Sequence, residues 1–69
     1  MKASMKTATA LYEGETFYLV ESPCIPFFRA YGRGNEKGTF FWGITLPDLM
    51  ATLRKNKPEW AREIDMAGD

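Results

Sequence analysis

The residues in this chain that could do chemistry are few, and their spacing suits little of it. Cys24 is the only cysteine, and there is no histidine. A cysteine nucleophile needs a base to take its proton, and histidine is the usual one. Cys24 therefore reads as a small, partly buried structural residue. Its setting, Pro23-Cys24-Ile25-Pro26, formally matches P-x-x-P. One match inside a folded context is poor evidence for polyproline-type recognition. The carboxylate pairs Glu13 with Glu15 and Glu59 with Glu63 fall on a turn and on a helix face. A solvated surface or an i,i+4 like-charge pair accounts for both. No spacing forms an acid/base dyad or a metal cluster. The expectation is a protein with no catalytic residues, no metal, no cofactor and no small-molecule substrate.

Gly32-Arg33-Gly34-Asn35-Glu36-Lys37-Gly38 has the composition of a phosphate loop. A phosphate loop must lead from a strand into a helix, whose N-terminal N–H groups face the anion. Gly38 leads instead into Thr39-Phe40-Phe41-Trp42, which is strand-forming. The stretch reads as a polar hairpin loop with a mobile tip, from which Arg33 and Lys37 could reach an acidic partner or a phosphate.

A third constellation is broader. Phe27, Phe28, Tyr31, Phe40, Phe41 and Trp42 interleave with Arg29, Arg33 and Lys37. Rings for stacking and cations for a backbone are what a single-strand nucleic-acid platform needs. A packed β core or a protein interface has the same signature. Net charge is zero, which disfavours long-range attraction to nucleic acid. The charge is segregated all the same. Met1 to Phe28 holds two basic against three acidic residues, Arg29 to Lys57 six against two, and Pro58 to Asp69 one against four.

Sixty-nine residues predict one domain over 1–69. A chain this short is marginal without a disulfide, a metal or a partner. The first two are disfavoured by the residue types, which leaves association. Hydrophobic content of 45% and charged content of 26% suit a folded domain. The basic start, Met1 to Lys6, is followed by too short and polar a stretch for a secretory signal. No run approaches the ~18 apolar residues of a membrane span. With the lone cysteine, this predicts a cytoplasmic protein with no membrane partner.

Residues 6–44 read as β. Lys6–Tyr12 and Thr16–Glu21 form a hairpin about Glu13-Gly14-Glu15, with Ala8, Ala10 and Tyr12 on one side of the first strand. Ser22-Pro23-Cys24-Ile25-Pro26 interrupts the sheet as an extended connector or a sheet-edge crossing, because two prolines remove two backbone donors. Phe27–Tyr31 and Thr39–Ile44 form a second hairpin. Residues 45–66 read as helical. Thr45 is the N-cap, Pro47 lies in the first turn, and Asp48 sits by the positive helix end. Leu46, Leu49, Met50 and Leu53 make the apolar stripe. Arg54, Lys55 and Lys57 close the helix before Pro58. A second helix then runs to about Met66, with Trp60 and Ile64 on one side. The fold class is α+β: an antiparallel sheet of about four strands with one or two short C-terminal helices on one face.

Nine of the ten aromatic residues lie between Tyr12 and Trp42, on both faces of any strands they form. One helix stripe covers one face. Each aromatic buries ~150–250 Å², worth ~25 cal/mol per Å². Two or three left uncovered forgo several kcal/mol, against a total stability of ~5–15 kcal/mol. The second face is covered by the second helix and Trp60 or by curling of the sheet, by a second copy, or by another partner. The sequence points to a small non-enzymatic interaction protein: a regulator, inhibitor or adaptor that binds a protein partner or itself. The residues assigned to the interface are Phe28, Tyr31, Phe41 and Trp42, with Arg29 and Arg33 at the rim. The alternative is a single-stranded nucleic-acid binder using the same surface.

Overall fold

Four strands pair in chain order, each antiparallel to the one before it. The computed structural model describes residues 8–68. The strands are β1 (Thr9–Glu13), β2 (Phe17–Glu21), β3 (Phe28–Gly32) and β4 (Phe40–Gly43). Helices α1 (Leu46–Asn56) and α2 (Pro58–Ala67) complete the chain order. The predicted α+β arrangement is the one observed. Lys6 and Thr7, placed in the first strand by the sequence, lie outside the described residues.

The proline-rich segment is a tighter connection than predicted. β2 and β3 pair directly, so residues 22–27 form a third hairpin connection in a meander. The Ser22 N–H donates to Phe27 O at 2.6 Å, and the Cys24 N–H donates to Ser22 Oγ at 3.1 Å. These bonds reverse the chain without any donor from Pro23 or Pro26. Cys24 itself is exposed rather than partly buried. The segment is too tightly turned to fold its side chain inward.

β1 also departs from simple alternation. Ala10 pairs with Val20, and Tyr12 pairs with Leu19, so Leu11 is the extra residue of a bulge. Ala10 and Tyr12 therefore face opposite sides, where the sequence pattern put them together. The 32–38 segment closes around a 3₁₀ turn at Gly34–Glu36. Gly34 opens it at φ +56, a conformation that favours glycine. Lys57 Nζ bonds Glu36 Oε2 at 2.8 Å, tying this loop to the helix junction.

Thr45 caps α1 as its residue type predicts: Oγ1 accepts from the Asp48 N–H at 3.2 Å. Leu49, Met50 and Leu53 are buried, while Leu46 stays at the exposed edge of the stripe. The approach of α1 to β4 depends on Gly43. A Cβ there would stand 2.5 Å from Leu49 N and 2.9 Å from Leu49 Cα, so any side chain would push the helix off the sheet.

Both helices pack on the same face. Trp60 of α2 is buried, stacked on Phe17 with centroids 4.5 Å apart and planes 5° from parallel. Phe41 meets its edge at 5.9 Å and 83°. Phe17, Leu19, Ala30, Leu49, Met50, Leu53 and Ala61 complete the core around it. The Tyr12 hydroxyl donates to Glu63 and so fastens β1 to α2. Truncating Trp60 to alanine removes the largest buried side chain, at a cost of about 3–5 kcal/mol. Urea titration should show most of the stability gone, with the core no longer cooperative.

Two clasps respond to alkali. The hydrogen bond to Glu63 raises the Tyr12 hydroxyl above its usual 10.0, with burial and the Glu63 charge adding to it. The bond to Glu36 likewise raises Lys57 above 10.5, against a smaller opposing effect of burial. A raised folded-state pKa means the folded protein holds the proton more tightly. That stabilisation is whole below the ordinary values and is lost as pH rises through the raised ones. Urea midpoints measured upward from neutral pH should therefore begin to fall near pH 10. Tyr12→Phe should be less stable at neutral pH and show a shallower alkaline loss.

Candidate functional site

Because both helices share one side, the opposite face of the sheet carries no helix or strand layer among the described residues. Strand alternation and register define what stands on it. One row crosses the sheet as Glu13, Tyr18, Tyr31 and Phe40. The next row is Ala10, Val20, Arg29 and Trp42. Tyr18 and Tyr31 stack with centroids 5.2 Å apart, and Tyr31 meets Phe40 at 5.0 Å. Three rings thus form a ladder over three strands. Phe40 is 44% exposed and Trp42 52%. Ile25, at the tip of the 22–27 connection, is 70% exposed. Val20 in the second row is buried, and Tyr18 and Tyr31 are half-buried, so the exposed apolar area gathers at the β4 end of the face. An exposed aromatic patch of this kind on a small domain marks an interaction surface.

The two arginines of the face are already engaged. Arg29 Nε donates to Pro26 O at 2.8 Å, and Nη2 donates to Cys24 O at 3.2 Å and Ile25 O at 3.4 Å. Its guanidinium thereby anchors the connection, supplying donors that the prolines lack. Arg33 lies 4.8 Å over the Tyr18 ring and bonds Glu13 Oε1 at 2.9 Å. Such a surface pair is worth only ~0–1 kcal/mol, and the cation–π contact ~0.5–1 kcal/mol. Together they still fix where the charge sits.

Of the six residues assigned from sequence, Arg29, Tyr31 and Trp42 stand on this face, with Arg33 at its margin. Phe28 and Phe41 do not. Both are half-buried against the core on the helix side. The reason is parity: 28 and 31, like 41 and 42, differ by an odd number and point to opposite faces. Tyr18 and Phe40 take their places. The same alternation could have found them, since 18 opposes the core residues Phe17 and Leu19, and 40 lies two from Trp42. Trp60 does not cover this face, since it is in the core on the other side.

No family model matches the chain, and no curated protein or solved structure matches it either. The site is defined by its own geometry. The 32–38 segment is not a phosphate cradle: its helical turn is three residues long and leads into β4. Among the described residues no group of three His, Cys, Asp or Glu side chains is placed to hold a metal. No helix among them is long and apolar enough to cross a membrane.

A concavity lies on the helix side, a groove of about 450 Å³ between the bulged β1 and the two helices. Leu11, Leu19, Leu46, Met50 and Ile64 line it. Its polar members are committed: Tyr12 to Glu63, and Asp65 to Arg54 at 3.5 Å. It offers apolar walls and no poised acid or base.

The two tryptophans make the bare face measurable. Acrylamide should quench the fluorescence of Trp42 strongly and leave Trp60 almost untouched. Trp42→Phe should remove the quenchable component and leave the folded-state spectrum of a buried indole. Equal quenching of both would mean that the face is covered.

Proposed function

We propose that this chain is a small non-enzymatic interaction protein whose outer sheet face binds a protein partner. The observation that carries the proposal is the stacked ladder Tyr18–Tyr31–Phe40, half-buried at its tyrosines and open at Phe40, with the exposed Trp42 beside it. Tyrosine and tryptophan dominate interface energetics because they bury much area at low conformational cost. A surface that is mostly ring, with Arg33 paired to Glu13 and the Arg29 donors taken up by backbone carbonyls, suits a largely apolar contact. Regulator, inhibitor or adaptor are the roles such a module fills. The lone, exposed Cys24 supports a reducing compartment, and so a cytoplasmic setting.

The alternative occupant is single-stranded nucleic acid, which would use the same rings. It needs cations free to track a phosphate backbone. Arg29 donates to three backbone carbonyls, and Arg33 is paired with Glu13, so both cations are already engaged within the chain. Among the described residues Lys37 on the loop tip is the cation left nearby. This balance favours protein over nucleic acid.

Affinity capture with salt titration separates the two. A protein partner should be retained from low to high salt by the wild type and by Lys37→Ala, and released by Tyr31→Ala and Trp42→Ala. Single-stranded oligonucleotides should fail to bind even at low salt. Oligonucleotide binding that falls steeply with salt would replace this reading with the alternative.

A further inference from the structure

The sheet has two edges, and they are guarded unequally. β1 carries a bulge at Leu11 and ends on Glu13, two devices that discourage pairing with another strand. β4, Phe40-Phe41-Trp42-Gly43, has no charge, no proline and no bulge. An edge of that composition is a template for strand addition.

The hydrogen-bond phase shows which β4 groups are open. The Gly32 N–H donates to Thr39 O at 2.9 Å, which makes 32 and 39 a hydrogen-bonded pair. Such pairs alternate along an antiparallel ladder. The register Ala30 with Phe41 and Phe28 with Gly43 then supplies the next two. The β2–β3 ladder has the matching phase, since Ser22 N–H to Phe27 O and Arg33 N–H to Thr16 O turn the other β3 groups toward β2. Phe41 and Gly43 therefore bond to β3. Phe40 and Trp42 turn both N–H and C=O away from the sheet. Among the described residues no turn, loop or side-chain bond reaches those four groups.

We propose that β4 pairs antiparallel with β4 of a second copy, about a two-fold axis through Phe41. In that register Phe40 of each copy lies opposite Trp42 of the other. All four outward groups of each strand edge are satisfied, giving four N–H···O bonds across the axis. Like faces stay together, because 40 and 42 share the outer side. A register centred on Trp42 would leave Phe40 opposite Ile44, beyond the strand end, and lose that match. The pairing brings no like charges together, since β4 has none; an axis at β1 would bring the bulges and Glu13 together. The result is one eight-stranded sheet. Its outer ladder runs Tyr18, Tyr31, Phe40 and then Trp42 of the second copy. This goes beyond the face reading and leaves that face open to its partner.

The test exploits the fact that the Phe40 N–H is outside the internal ladder, at the first position of an edge strand, where proline is tolerated. Phe40→Ala loses the ring and keeps the donor, whereas Phe40→Pro loses both. Sedimentation equilibrium over a concentration series should show a wild-type dimer. Phe40→Pro should weaken it by about tenfold or more relative to Phe40→Ala, since each lost donor acts twice. Tyr31→Lys, in the middle of the face, should leave the dimer intact while abolishing partner capture, so the two readings fail separately. Amide exchange on the wild type needs no variant to fold. Phe40 and Trp42 amides should be protected at high concentration and open at low, while Phe41 and Gly43 stay protected at both. A monomer at every concentration, or a dimer whose Phe40 and Trp42 amides exchange freely, would overturn the proposal.

Discussion

The stack of Trp60 on Phe17, 4.5 Å between centroids, is the contact on which the architecture depends. It places α2 on the same side as α1. A helix of ten residues has only one broad apolar face. Once Trp60 commits that face to Phe17 and Phe41, nothing in the second helix can turn to cover the other side of the sheet. The clasps at its two ends arise from the same placement. Tyr12 reaches Glu63 because α2 runs beneath β1, and Lys57 reaches Glu36 because the helix junction lies below the 3₁₀ turn. One core therefore absorbs both helices and leaves an aromatic face bare. Among the described residues no further element lies over that face.

The elements were legible in the sequence because each carried its own local signal. Thr45, Pro47 and Asp48 announce the start of α1 by side-chain chemistry that acts within one turn, and the cap forms as those residue types require. Pro58 ends one helix and begins the next. Strand content reflects β-branched and aromatic runs. What was illegible depended on non-local choices. The bulge at Leu11 changes the facing of Ala10 without any glycine or charge to mark it. The 22–27 connection becomes a hairpin because Arg29 supplies donors from outside the segment.

The face assignment failed for a related reason. Choosing Phe28, Tyr31, Phe41 and Trp42 together weighted residue type over parity, and alternation forbids that set from sharing a side. Gly43 held the missing information. A glycine at the end of an aromatic strand marks the point where another backbone comes close, and here that backbone is α1 at Leu49. Reading Gly43 as the helix-facing position would have put Phe41 inside and Trp42 outside. Arg29 and Arg33 were expected at the rim as contact residues. Their bonds make them struts of the face, which alters what kind of partner it suits.

The asymmetry of the sheet gives this economy a direction. Pairing at a bare edge relies on backbone groups, which any strand can supply, so an unguarded edge is a hazard unless a defined partner occupies it. β1 shows that this chain has the means to guard an edge, with a bulge and a terminal glutamate. β4 lacks both and adds three consecutive aromatics. Aromatic cross-strand pairs are among the more favourable on a sheet face. A β4 edge joined to itself would turn the exposure of Phe40 and Trp42 from a liability into a seam. It would also lengthen a ladder of three rings into one wide enough for a partner to recognise. Edge and face are then two uses of one strand: the backbone of Phe40 and Trp42 selects the copy, and their rings present the surface.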